Sequence, residues 1–309
     1  MTEPLRPMST GELLDRTFAL YRKNFILFVG IAALGPAAYL VFQLLTIGSA
    51  AVPGRTAAVG AAAAITSLGA GLFVGIVVML AGMAYSQAAT VKAVAAVHLG
   101  REITIGGAYK ALRGRLWRVL GVFLLMIVLV GLGVVVIVVI AGVLGSLAVV
   151  GGASAGTGGA IAGGLVGVAV VVLGALLAIA VYVRYSLAIQ ACVVEDLRPI
   201  ASLKRSASLS KGARSRVLAI YFVFGVLSMI VSLVLGGLAG AAGVALHNTM
   251  LALIVVYVTS FVAGSLTGPL GTIGISLLYY DERVRKEAFD LQLMMLSLDA
   301  PEVTAPVQV

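Results

Sequence analysis

The stretch LRGRLWRVLG, Leu112 to Gly121, sets Arg113, Arg115 and Arg118 around Trp117 immediately before a long apolar run. A guanidinium is a rigid fork of donors matched to phosphate or carboxylate oxygens, and an indole joins a large apolar ring to one N–H. The partner of such a stretch is a phosphate of nucleic acid, a phosphate of a lipid headgroup, or an acidic protein surface. Other chemistry is scarce. His98 and His247 are the only histidines and Cys192 is the only cysteine, so the chain offers neither a His/Cys metal cluster nor an intrachain disulfide. No GxxxxGK[ST] loop, HExxH helix or GxSxG elbow occurs. The expectation is a non-enzymatic protein with no catalytic residue, no metal and no cofactor.

The surroundings decide among the three partners. Hydrophobic residues make up 61% of the 309 positions, only 11% are charged, and the mean hydropathy is +1.14. A soluble domain carries roughly 25% charge, so this is an all-α integral membrane protein, and its net charge of +9 is first a question of topology. The N-terminus, MTEPLRPMSTGELLDR, mixes acids and bases and lacks the short apolar core of a removed signal peptide.

Gaps between charges count the spans. The chain is uncharged for 31 residues between Lys23 and Arg55 and for 36 between Arg55 and Lys92, enough for one tilted helix each. The 65 uncharged residues from Val119 to Val183 would reach about 100 Å as one helix, so they fold back, with the turn expected in GGASAGTGGA, Gly151 to Ala160. The 64 residues from Val217 to Tyr280 fold back near His247. Six spans result: Phe25 to Ile47, Ala63 to Tyr85, Val119 to Val143, Ile161 to Val183, Val217 to Gly240 and Met250 to Leu278. Twenty of the 21 Lys and Arg residues then fall on one side, with Arg55 alone on the other, which places both termini in the cytoplasm of a bacterial inner membrane.

An internal repeat underlies this layout. LRGRLWRVLG matches LSKGARSRVLA, Leu209 to Ala219, at a shift of 98 residues: Arg113 with Lys211, Gly114 with Gly212, Arg118 with Arg216. A looser copy is ALYRKNFILFVG, Ala19 to Gly30. The spacing predicts three tandem two-span units, about 9–101, 102–199 and 200–298, in a single domain over 1–298, followed by a disordered tail at 299–309. Each unit opens with a cytoplasmic amphipathic helix. In the first the apolar stripe is Leu14, Phe18, Tyr21 and Phe25, and Ser9 with Glu12 fits a capping box. In the second the stripe is Ile105, Tyr109, Leu112 and Leu116; the third runs from Ile200 to Lys211. A C-terminal amphipathic helix follows, with its stripe at Val284, Ala288, Leu291, Met295 and Leu298 and opposite charges at Asp281 with Arg285, Glu282 with Lys286 and Arg283 with Glu287. Apolar sequence after Lys92 and after Arg184 extends the even-numbered spans into this cytoplasmic layer.

Two sets of candidate residues emerge. Arg113, Arg115, Trp117, Arg118, Lys211, Arg214 and Arg216 are placed to contact anionic lipid headgroups or a protein partner in the membrane; nucleic acid is the least fitting occupant. Arg184, beside Tyr182 and Tyr185, either snorkels from the end of span 4 or forms an intramembrane polar site with Gln87, Lys92 and Gln190. Pro36 and Pro269 are candidate breaks in spans 1 and 6, simple kinks or the discontinuities of a small transporter or channel.

In STGELLDRTFALYRKNF, SLKRSASLSKGARSRVLA and PLGTIGISLLYYDERVRKEAFDLQL the chain resembles the bacterial family of membrane domains of glycerophosphoryl diester phosphodiesterases and its free-standing relatives. The resemblance covers nearly the whole chain. It implies a membrane module without the metal-bearing catalytic barrel of the family's fused members.

Overall fold

The computed structural model describes residues 7–50, 61–98, 100–155 and 157–287, and every regular element among them is an α-helix. Span 1 is split into α2 (Phe25–Ala32) and α3 (Leu34–Ala50), preceded by α1 (Thr10–Lys23). Span 2 is α4 (Ala61–His98). A short α5 (Ile105–Lys110) leads into the hairpin of α6 (Leu116–Ala155) and α7 (Thr157–Tyr185), which α8 (Ala188–Val194) extends. Then come α9 (Pro199–Leu209), α10 (Arg214–Leu246) and α11 (Thr249–Glu287). Six stretches are long and apolar enough to cross a membrane, as the gaps between charges predicted.

Several boundaries differ from those expected. α6 remains helical through Ala155, so Gly151 to Ala155 belong to the helix rather than the turn. In apolar surroundings a backbone that bonds to itself is preferred over an open loop, even at the cost of helical glycines. The turn near His247 is where it was placed, and His247 caps α10 in the left-handed region at φ +49°. Pro269 does not break span 6: α11 runs through it, while span 1 is interrupted at Ala33, ahead of Pro36.

Packing concentrates at the basic end. Leu13, Phe28, Leu112, Leu187, Ile220 and Tyr279 are among the side chains fully withdrawn from the surface there. By contrast, no residue of the most apolar window of α6 is buried. α1 lies on α11, α5 on α4, and α9 on α8, so each short N-terminal helix covers the span preceding it, with the first lying on the last. The capping box of α1 is present, Glu12 N–H donating to Ser9 Oγ at 3.2 Å and Ser9 N–H to Glu12 Oε2 at 2.7 Å. Its buried stripe is rotated one position from the expected one: Leu13 and Thr17 are enclosed, whereas Phe18 and Phe25 remain exposed. The C-terminal stripe beyond Glu287 and the tail at 299–309 lie outside the described residues.

Two elbows share one geometry. Gly114 and Gly212 both have positive φ, +85° and +88°, two residues before α6 and α10 begin. A β-carbon is disfavoured there, which explains glycine at both positions of the shift-98 match.

Candidate functional site

The expected headgroup residues divide into two groups. Trp117 is 80% exposed, and Arg113, Lys211 and Arg214 are exposed without an ion-pair partner among the described residues. Arg115 and Arg118 instead converge on Asp196, with Nε–Oδ1 at 3.3 Å and Nη1–Oδ1 at 2.8 Å. Arg216, expected at the lipid surface, is turned inward. Its guanidinium bonds to Asp281 Oδ2 at 2.6 Å, Glu282 Oε1 at 2.7 Å and the Met8 carbonyl at 2.9 Å.

Asp281 and Glu282 are only 2% and 3% exposed, and burying two carboxylates requires compensating cations. Arg285 and Lys286 add the i,i+4 pairs read from the sequence, at 2.8 and 3.0 Å. Met8 N–H donates to Asp281 Oδ1 at 2.6 Å, which ties the N-terminal segment to the end of α11. Beside this cluster, Glu195 receives Arg205 at 2.9 Å and the Tyr279 hydroxyl, and Arg205 and Arg283 both reach Glu287. The hydrogen bonds and charges of Glu287 and Glu195 hold the Arg205 guanidinium above its ordinary pKa. The last turns of α11 are therefore a polar hub inside the fold. Sequence reasoning read DERVRKE as the start of an amphipathic helix without placing its charges inside the fold, because i,i+4 pairing looks the same on a surface and in a core.

The break before Pro36, the helix near Pro269 and the break between α7 and α8 are each met by a hydroxyl from a neighbouring element. Proline lacks the N–H that would bond four residues back, which frees the Ala32 carbonyl below Pro36. Ser86 Oγ donates to that carbonyl at 3.1 Å and to the Ile31 carbonyl at 3.2 Å, and the Tyr109 hydroxyl of α5 donates to Ile31 at 2.6 Å. Burial pushes Tyr109 up to about 12, so it remains a donor well into alkaline conditions. Near Pro269, the Tyr21 hydroxyl of α1 donates to the Leu266 carbonyl at 2.7 Å. At the break between α7 and α8, Ser206 of α9 donates to the Arg184 carbonyl at 3.1 Å and accepts the Leu187 N–H at 3.1 Å.

A cavity of about 590 Å³ lies among α4, α6, α7, α8, α10 and α11. Its polar lining is Gln87, Tyr182, Ser186, Gln190, Tyr221 and Thr272, and among the described residues no lining side chain is charged. Gln190 is 4% exposed and its Oε1 has no hydrogen-bond partner. Leaving a buried acceptor unpaired costs about 1–3 kcal/mol. Of the expected intramembrane set, the structure brings Gln87 and Gln190 to this cavity. Arg184 does not line it: the side chain is exposed, with its guanidinium carbon 5.7 Å from the Tyr185 ring centroid. Lys92 is half-buried and also outside the lining. Ser186, four residues before Gln190 across the α7–α8 break, is a lining residue absent from the expected set, since a lone serine in an apolar run carries little signal.

Scans against family models, curated proteins and solved structures each return no match for this chain.

Proposed function

We propose that the chain is a non-enzymatic, multi-pass protein of the bacterial inner membrane, a scaffold or accessory module whose basic face rests on anionic lipid headgroups of the cytoplasmic leaflet. The observation that carries this reading is the sorting of the cations. Arg115, Arg118, Arg205 and Arg216 pair with carboxylates of the chain, while Arg113, Lys211 and Arg214 remain exposed at the two elbows, the first of which also carries the exposed Trp117. An exposed indole beside free cations suits the membrane–water boundary, where the ring meets acyl chains and the N–H meets water. The same pairing supports the equivalence of the second and third units: Arg118 pairs with Asp196 inside the second as Arg216 pairs with Asp281 inside the third. The charge bias supports a cytoplasmic basic face, and an outward-reading reporter after Val309 would reverse that orientation.

Each cation near a charged leaflet contributes on the order of 1 kcal/mol before screening. Changing Arg113, Lys211 and Arg214 together to Gln is expected to lower the preference for phosphatidylglycerol over phosphatidylcholine by roughly tenfold or more at low salt. Lipids retained through purification and read by mass spectrometry measure it. An unchanged lipid ratio, with an unchanged set of co-purifying proteins, would remove the proposal's support.

The alternative, a small transporter or channel, loses two of the features that motivated it, because Arg184 is exposed and Pro269 leaves its helix continuous. The cavity at Gln87 and Gln190 favours a narrower version, in which an uncharged compound occupies the bundle.

A further inference from the structure

The geometry points to a binding site for an uncharged, hydroxyl-bearing lipid in the cavity among spans 2 to 6, with the Gln190 amide turning to accept the hydroxyl and the acyl chains leaving along apolar helix faces. Three independent observations converge on this occupant.

The first is the wall chemistry. A phosphate or ammonium group brought into apolar surroundings needs a counter-charge, and the cavity offers none. A neutral polar group needs only hydrogen-bond partners, which Gln87, Ser186, Gln190 and Thr272 supply. Gln190 is the specific element: its side chain lines the wall, and its oxygen, buried behind that wall without a donor from the described residues, gains one when the amide turns toward a ligand. An O–H provides one without a charge.

The second is the space. The volume of about 590 Å³ falls in the range of roughly 300–1,000 Å³ usual for small-molecule sites. Three glycines, Gly131, Gly268 and Gly271, form part of the wall, and a β-carbon at any of them would meet no atom within 4 Å. Glycines at close helix crossings elsewhere behave differently: a β-carbon at Gly264 would lie 3.1 Å from Pro36 Cγ, and one at Gly274 2.8 Å from Phe224 Cε2. The wall glycines therefore do not serve helix contact within this chain, and side chains at Gly131 and Gly271 have room to extend into the cavity.

The third is the route. The Tyr182 and Tyr221 rings, 5.1 Å apart, are where α7 and α10 meet at the basic end of the cavity. Farther along, Leu173, Leu176, Leu177, Met229 and Ile230 are each at least half exposed, so the two helices present apolar surface to lipid there. A ligand with its hydroxyl near Gln190 and its chains running outward needs no passage through water.

The test uses the full-length protein in detergent with dioleoylglycerol, with its acetylated counterpart lacking the hydroxyl, or with dioleoylphosphatidic acid. Native mass spectrometry reads the bound species. Dioleoylglycerol is expected at one molecule per chain, and Gly271→Leu and Gly131→Leu to reduce its occupancy by at least about tenfold. Both substitutions place their side chains in open space and replace a helical glycine, so the ligand-free unfolding temperature should hold or rise. Gln190→Leu is expected to abolish the preference for the alcohol over the acetate. Equal occupancy in wild type and Gly271→Leu, or phosphatidic acid binding with the same glycine sensitivity, overturns the site. The Arg113, Lys211 and Arg214 variant should bind dioleoylglycerol normally, which separates failure here from failure of the headgroup proposal.

Discussion

Arg216→Leu is expected to lower the unfolding free energy by about 3–5 kcal/mol, the usual result of removing one partner from a buried ion cluster. Its side chain is 17% exposed and those of Asp281 and Glu282 are 0% and 4% exposed, so little solvent is available to take over its role. Arg285 and Lys286 remain, but both are one helical turn along the same helix and more exposed, and neither replaces the bond that crosses from α10 to α11. The Met8 carbonyl keeps Arg285 at 2.6 Å, so the N-terminal segment should loosen without detaching. Arg214→Leu, two residues away on an exposed position, is the matched control and should change stability by less than about 0.5 kcal/mol. The measurement has a built-in reporter. Cys192 is the only cysteine and is 3% exposed, so a thiol-reactive fluorophore lights up only as the fold opens. Equal transition temperatures for the two variants would mean that the buried cluster carries no net stability.

Glu195→Ala should be the next most damaging change, at about 2–3 kcal/mol, less than the full cost of a buried pair because Glu195 and Arg205 are 18% and 25% exposed. The substitution withdraws an acceptor from Arg205, from Arg283 at 3.6 Å and from the Tyr279 hydroxyl, leaving Glu287 to balance two guanidiniums. Tyr279 is fully buried, so its stranded O–H adds a desolvation cost. A graded series separates the contributions. Glu195→Gln retains an acceptor for Tyr279 while removing the charge and should lie between wild type and alanine. Tyr279→Phe removes the stranded donor together with its bond and should cost about 1 kcal/mol. The same thiol readout orders the series, and a glutamine variant as damaged as alanine would show that the charge alone matters.

The contrast between these sites and the elbows shows what a sequence of this kind reveals. The spans were legible because hydrocarbon thickness sets a length scale and charge is costly inside it, so uncharged stretches of 31 to 65 residues convert directly into helices and hairpins. The capping box at Ser9 and the helix end at His247 were legible because their signals are local. The depth of the charges was not. Arg118 and Arg216 occupy matching positions at a shift of 98, yet the first meets an exposed Asp196 at the surface and the second binds two buried carboxylates that lie 65 and 66 positions later. Only the packing of α10 on α11 distinguishes them. The surroundings of Pro269 were hidden for a related reason: the hydroxyl that bonds to the nearby Leu266 carbonyl belongs to Tyr21, 245 positions earlier, and no window of sequence contains both. The cavity was half legible, since Gln87 and Gln190 stood out as polar residues in apolar runs while its wall glycines Gly131, Gly268 and Gly271 carry no polar signal.

The contact of the first helix with the last has a consequence for how the protein is made. Met8 and Asp281 are joined across 273 positions, and Arg285 reaches Met8 across 277. Synthesis proceeds from one end, so five spans enter the bilayer while the surface that receives α1 does not yet exist. During that interval Arg216 lacks its carboxylates and Tyr21 lacks its carbonyl. Assembly is consequently a late event, triggered when the final span arrives, and a chain interrupted before Asp281 leaves quality-control proteases an unmatched arginine and an uncovered amphipathic helix to recognise.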